Sequence, residues 1–196
     1  MKFALATNNP GKISEMHEIL SEFGYEIVTR NDLGIDLEIE ETGTTFYDNA
    51  LAKATAICDF SGLAAIADDS GLCVESLNGA PGVYSSSFGG KLLTDAQRCD
   101  YLLKKMVNME HRRAKFVCNI LCVFPGGTTL ATVGECYGSI LTSRQGTGGF
   151  GYDPVFQPDG INKSMSQLSR DQKNSISHRG AALTKFAALL RQMHIS

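Results

Sequence analysis

The chain has 196 residues, a formal net charge of −3 and 43% hydrophobic residues. That length suits one domain or two joined lobes, and the apolar fraction is enough for a substantial core. The slight acidic excess argues against the broad basic face that nucleic acids require, so an anionic ligand must be met by local cations or by a metal.

Lys2 to Ala6 reads as a first strand, followed by a turn-rich loop from Thr7 to Gly11. Lys12 to Phe23 carries Ile13, Met16, Ile19, Leu20 and Phe23 at helical spacing, and Gly24 stops it. Tyr25 to Thr29 reads as a second strand and Asn31 to Gly43 as a polar, acidic connection. Thr45-Phe46-Tyr47-Asp48 resembles a capping box opening a helix to about Asp59. Leu63 to Val74 reads as a strand with two adjacent carboxylates, Asp68 and Asp69, in its middle. Asn78 to Gly90 is rich in Gly, Pro and Ser and reads as a loop. Thr94-Asp95-Ala96-Gln97 is a second capping box, opening a helix to about Met109. Lys115 to Phe124 and Thr128 to Leu141 read as two strands joined by a short turn. Thr142 to Gly160 is another loop, Ser164 to Gln172 a short helix, and Ser177 to Met193 the closing helix. Strands alternating with helices, plus one hairpin, predict an α/β fold with a mixed twisted sheet and flanking helices. The expected organisation is a single domain over 1–196 made of two lobes around a central cleft, with about 77–141 contributing the second lobe.

No stretch approaches the ~20 apolar residues needed to cross a bilayer, and the apolar start reaches Asn8-Asn9-Pro10 too soon for a signal peptide. The expectation is a cytoplasmic protein with no membrane and no nucleic-acid partner. The six cysteines form no C-x-x-C and are expected to be buried free thiols.

Four stretches carry chemistry. In Thr7-Asn8-Asn9-Pro10-Gly11-Lys12 a strand ends and a helix begins, a place where backbone N–H groups and the helix dipole favour an anion. Lys12 opposes that dipole, so something negative must stand near it. The spacing is not that of a Walker A loop. The acid pairs Glu40-Glu41 and Asp68-Asp69 form the second feature. Neighbours in an extended chain point to opposite faces, so one member of each pair can meet the other at a hard-oxygen site suited to Mg²⁺. Which member does so is left open by the residues. Third, Gly146-Thr147-Gly148-Gly149-Phe150-Gly151 matches G-x-G-x-x-G, but Tyr152-Asp153-Pro154 follows where a dinucleotide fold needs a helix. It reads better as a glycine loop presenting Phe150, Tyr152 and Asp153 to a ligand, with an aromatic ring available to stack on a base. Fourth, Lys173 to Gly180 places His178 and Arg179 in a first helical turn, where cations again call for a negative partner.

These motifs, in this order and over nearly the whole chain, resemble the inosine/xanthosine triphosphate pyrophosphatase family. Thr7 to Lys12 resembles its T-[GN]-N-x-x-K opening. Glu40-Glu41-Thr42-Gly43, with Thr45-Phe46 and Asn49-Ala50, resembles E-T-G-x-T-F-x-x-N-A. Ala67-Asp68-Asp69-Ser70-Gly71-Leu72 resembles A-D-D-S-G-L, and Gly79 to Ser85 resembles G-A-P-G-[IV]-Y-S. Gly148 to Pro154 and Ser177-His178-Arg179-Gly180 complete the set. The resemblance implies a Mg²⁺-dependent hydrolase, usually a homodimer, converting ITP, dITP and XTP to monophosphate and pyrophosphate. It implies that Glu40 and Asp69 hold the metal and that Asp69 acts as, or positions, the base, with Asp68 assisting. It implies substrate binding by Thr7, Asn8, Asn9, Pro10, Gly11 and Lys12 at the phosphates. Ser70, Phe150, Gly151, Tyr152, Asp153, Lys173, His178 and Arg179 would bind the nucleotide. Lys12, Lys53 and Lys173 are the candidates to counter charge on the leaving group. The alternatives are a nucleotide sensor without turnover and a pyrophosphatase for pyrimidine or modified nucleotides.

Overall fold

A computed structural model describes residues 1–193. Its strands are β1 (Lys2–Leu5), β2 (Glu26–Thr29), β3 (Ala64–Val74), β4 (Arg113–Val123), β5 (Thr129–Ile140) and β6 (Phe156–Pro158). Its helices are α1 (Pro10–Glu22), α2 (Phe46–Ser61), α3 (Asp95–Lys105), α4 (Arg170–Ile176) and α5 (His178–Met193). The strands hydrogen-bond in the order β2-β1-β3-β4-β5-β6. β1 pairs in parallel with both β2 and β3, while β6 runs antiparallel to β5. The mixed α/β sheet expected from the alternation of elements is therefore present.

The chain divides into two compact units. The first holds residues 1–69, 118–134 and the stretch from His178 onward; the second holds 70–117 and 135–177. Residues 118–134, inside the 77–141 stretch assigned to the second lobe, group with the first unit, and 135–177 group with the second. The changeovers fall within β3, β4 and β5 and between α4 and α5.

The first unit has a core on each face of its strands. Phe3 and Leu5 of β1 and Ile66 of β3 pack with Met16, Ile19 and Leu20 of α1 and with Leu183, Phe186 and Leu190 of α5. Ala4, Ala6, Ala65 and Ala67, one residue out of step, pack with Ala50, Ala54 and Ile57 of α2. The two-residue period of a strand sorts these side chains. The small alanines let α2 lie close, while the large side chains fill the other face. On β4 the same alternation puts Cys118, Ile120 and Cys122 in the first core, and Leu121 and Val123 in the second. The second unit has its own core, in which Leu72, Val74, Leu102, Met106, Phe116, Tyr152 and Phe156 meet.

Helix starts follow the sequence. Thr45 caps α2 by accepting from Asp48 N, and Thr94 with Gln97 closes a full capping box on α3. The short helix expected over 164–172 is instead a 3-10 turn (Met165–Gln167) followed by α4. Each begins with its own capping box, Ser164/Gln167 and Ser169/Gln172. α3 ends at Lys105 rather than Met109, and the 78–90 loop contains a 3-10 turn at Gly82–Tyr84.

Candidate active site

Alternation along β3 decides the fate of its two acids. Asp68 follows Ile66 onto the face covered by α1 and α5; Asp69 follows Ala67 onto the face covered by α2. Asp68 is 1% exposed, and its Oδ2 lies 3.1 Å from Lys12 Nζ and 3.2 Å from a terminal guanidinium nitrogen of Arg179. Arg179, itself 1% exposed, also donates to Glu15 of α1. Burial alone would raise the Asp68 pKa, but Lys12, Arg179 and Lys53 outweigh it and hold the carboxyl well below the usual range. Burial works against the Arg179 charge as well, and Asp68 and Glu15 more than reverse it.

Asp69 meets different partners. Its Oδ1 lies 3.0 Å from Lys53 Nζ and its Oδ2 accepts from Asn49 Nδ2 at 3.2 Å, both on α2. Lys53 also reaches Glu41 Oε1 at 2.8 Å, so one ammonium bridges two carboxylates. Burial raises the Asp69 pKa, Lys53 and Lys12 pull it down, Glu41 pushes it up, and the balance lies above the ordinary carboxylate value. Burial would discharge Lys53, but Asp69, Asp68 and Glu41 keep its pKa raised. The segment carrying Glu41 is tied back to the helix, since Gly43 N donates to Asn49 Oδ1 at 2.8 Å. A Cβ at Gly43 would run into that Asn49 oxygen, so the close approach needs glycine.

The opening loop shows a further tie. Asn9 caps α1, its side-chain oxygen accepting from both Gly11 N and Lys12 N, while Asn9 N donates to Thr7 Oγ1. Two of the backbone donors expected to cradle an anion are thus taken by the cap. Asn8, Asn9 and Pro10 are exposed, and Thr7, Gly11 and Lys12 half-buried.

In the second unit, the glycine loop turns on Gly149 and Gly151, at φ +71° and +61°. A Cβ at Gly149 would strike the Asp153 carboxylate, which accepts from Phe150 N at 3.0 Å. Lys173 Nζ lies 2.6 Å from that carboxylate and 4.5 Å from the centroid of the Phe150 ring.

The comparisons with known proteins bear on this arrangement. The Ham1 family model matches residues 3–189. The chain belongs to the Ham1 family. It is 44% identical to the dITP/XTP pyrophosphatase of Desulforamulus reducens, over 100% of this chain and 98% of that protein. To the dITP/XTP pyrophosphatase of Aquifex aeolicus it is 45% identical over 97% of each chain. The solved structure of a HAM1 protein from Coxiella burnetii superposes with a TM-score of 0.90 at 36% identity, covering 98% of this chain and 99% of that one. The Ham1 protein of Staphylococcus aureus gives 0.88 at 39% identity, covering 98% and 100%.

Within this Ham1 chain, Lys12, Lys53, Asp68, Asp69 and Arg179 are brought together in the first unit. Several expected residues stand elsewhere. Glu40 is exposed, and it is Glu41 that Lys53 joins to Asp69. Arg179 spends its donors on Asp68 and Glu15 rather than facing outward. Tyr152 and Asp153 are 4% and 3% exposed. Tyr152 donates its hydroxyl to Ser85 O, so of the loop's two aromatics only half-buried Phe150 is presented. Lys173 belongs with Asp153 and Phe150, not with Lys12 and Lys53. Ser70 is half-buried and His178 buried.

Glu15 was missed by the sequence reading. Its signal was present: it lies one turn after Lys12 on the face of α1 that also buries Met16 and Ile19. Gly134 was also missed. A Cβ there would strike His178 O and Ala182 N, so glycine lets α5 lie directly on β5. Thr132 Oγ1 donates to Ala182 O and fastens that contact at 2.9 Å.

Proposed function

We propose that the chain hydrolyses deaminated purine nucleoside triphosphates, dITP, XTP and ITP, to the monophosphate and pyrophosphate. The observation that carries this reading is the contrast between Asp68 and Asp69, which supplies one acid fixed as a counter-ion and one with base character, in a chain whose full-length relatives are named dITP/XTP pyrophosphatases.

Asp69 takes the proton of the attacking water. In the metal-free site burial and Glu41 raise its pKa, which gives it more base character than an ordinary carboxylate. The water oxygen bonds to the α-phosphorus, the bond from that phosphorus to the bridging oxygen breaks, and pyrophosphate leaves. Lys12 and Lys53 stand beside the acids and counter the charge that develops on the phosphates. Asp68 holds Lys12 and Arg179 in place and stays ionised throughout. The exposed loop Asn8–Pro10 and Ser70 contact the phosphates. Phe150 stacks on the base, with Lys173 and Asp153 fixing its ring, and His178 donates to the base.

The donor set fits Mg²⁺. Asp69 and Glu41 come from separate segments and already share one cation, Lys53. Such a pair suits an ion that binds one or two carboxylates and leaves positions for water and phosphate. Asp69 and Glu41 would hold Mg²⁺, which would neutralise the triphosphate and acidify bound water. The homodimer rests on the family resemblance and the cytoplasmic location on the sequence pattern; no described helix is long and apolar enough to cross a membrane.

The test is pyrophosphate release from ITP, XTP, dITP, ATP and GTP, with and without Mg²⁺. Turnover of the deaminated purines with Mg²⁺, well above that of ATP and GTP, is expected. Equal rates on ATP and ITP would defeat the specificity reading, and orthophosphate in place of pyrophosphate would defeat the site of attack.

A further inference from the structure

We propose that Asp95 and Cys99 of α3 are positioning residues for the base: they grip the two peptide groups that flank Gly151 and so fix the backbone that carries the Phe150 ring. This rests on the reading that Phe150 stacks on the base.

Asp95 and Cys99 are four residues apart and share a face of α3. Asp95 Oδ2 accepts from Gly151 N at 2.7 Å, and Cys99 Sγ donates to Gly151 O at 3.3 Å. The peptide group is planar, so a partner fixed at Gly151 N also fixes the orientation of the carbonyl of Phe150. Gly151 sits at φ +61°, a conformation that side chains disfavour, and the two contacts hold it there. An acid in the first turn of a helix favours the helix dipole whatever it touches, and Asp95 also pairs with Arg98 at 3.0 Å. Neither role calls for an oxygen bonded to a loop 56 residues away. Burial pushes the Cys99 thiol up to about 12, so it stays neutral and remains a donor. Tyr152, the next residue, is anchored through its hydroxyl to Ser85 O, so the chain is held on both sides of the Gly151 turn that carries Phe150.

The experiment compares D95A, D95N, C99A, F150A and the double variant D95A/F150A in steady-state turnover of dITP, together with amide hydrogen exchange at Gly151. D95N keeps an oxygen that can accept from Gly151 N but weakens the Arg98 pair as D95A does, so it controls for helix stability. The expected result is a KM raised about 5–10-fold in D95A, with kcat within about twofold of the parent, as the loss of one charge-assisted hydrogen bond implies. D95N retains nearly the parental KM, C99A shows a smaller rise than D95A, and the double variant matches F150A alone. Gly151 exchanges faster in D95A and not in D95N. Equal damage by D95A and D95N, additivity with F150A, or unchanged Gly151 exchange in D95A would overturn the proposal. If F150A leaves KM unaltered, the stacking reading fails, and the exchange result still decides whether α3 positions the loop.

Discussion

Asp68 and Asp69 are adjacent in β3, yet the two faces of that strand give them opposite surroundings. On the α1 and α5 side, Asp68 is closed in by Lys12 and Arg179, with Glu15 behind the arginine. On the α2 side, Asp69 has one cation, Lys53, and must share it with Glu41. Both are buried, so burial cannot be what separates them. The ratio of cations to carboxylates does: two cations for Asp68 and Glu15 lock Asp68 as an anion, and one cation shared by Asp69 and Glu41 leaves Asp69 with base character. On the proposed mechanism, a single strand carries structure on one face and chemistry on the other.

Substitutions separate the two faces. D69N is expected to have the largest effect, lowering kcat about 10²–10⁴-fold, with a smaller loss of stability than D68N because Lys53 keeps Glu41 as a partner. D68N is expected to act on stability, costing about 3–5 kcal/mol in urea unfolding, since it leaves Arg179 and Lys12 short of a buried partner. The Asp68 pKa is depressed on folding, so its contribution is present above the ordinary value of 3.8 and is lost as pH falls towards the folded value. The gap between the parent and D68N should therefore narrow below that pH. G134A disturbs the Asp68 side indirectly, by pushing the start of α5 and hence Arg179 off β5; a loss of about 1–3 kcal/mol is expected from thermal unfolding. The smallest effect is on the Asp69 side. E41Q should raise the Mg²⁺ concentration for half-maximal turnover roughly tenfold, while E40Q leaves it unchanged; the reverse order would return the metal site to Glu40.

Much of this was legible in the sequence, and for physical reasons. Period-two alternation in Ala65–Val74 foretold that the acids would part company. Cations at the starts of α1 and α5 foretold nearby anions. What could not be read was that those anions belong to the chain itself: Lys12 and Arg179 converge on Asp68, 56 and 111 residues away. Long-range pairing of that kind leaves no local trace. The choice between Glu40 and Glu41 was hidden for a similar reason, because it depends on where Gly43 is pinned to Asn49. Tyr152 looked like a ligand-facing aromatic because the bond that turns it inward goes to a backbone carbonyl 67 residues earlier. The split of the 164–172 helix, by contrast, was written locally in two Ser-x-x-Gln boxes.

The most direct measurement is an NMR titration of the side-chain carboxyls of Asp68 and Asp69 in the metal-free protein. The two-faced strand predicts that Asp69 titrates above 3.8 and Asp68 below it. Coincident titrations, or the opposite order, would contradict the assignment of structure to one acid and chemistry to the other.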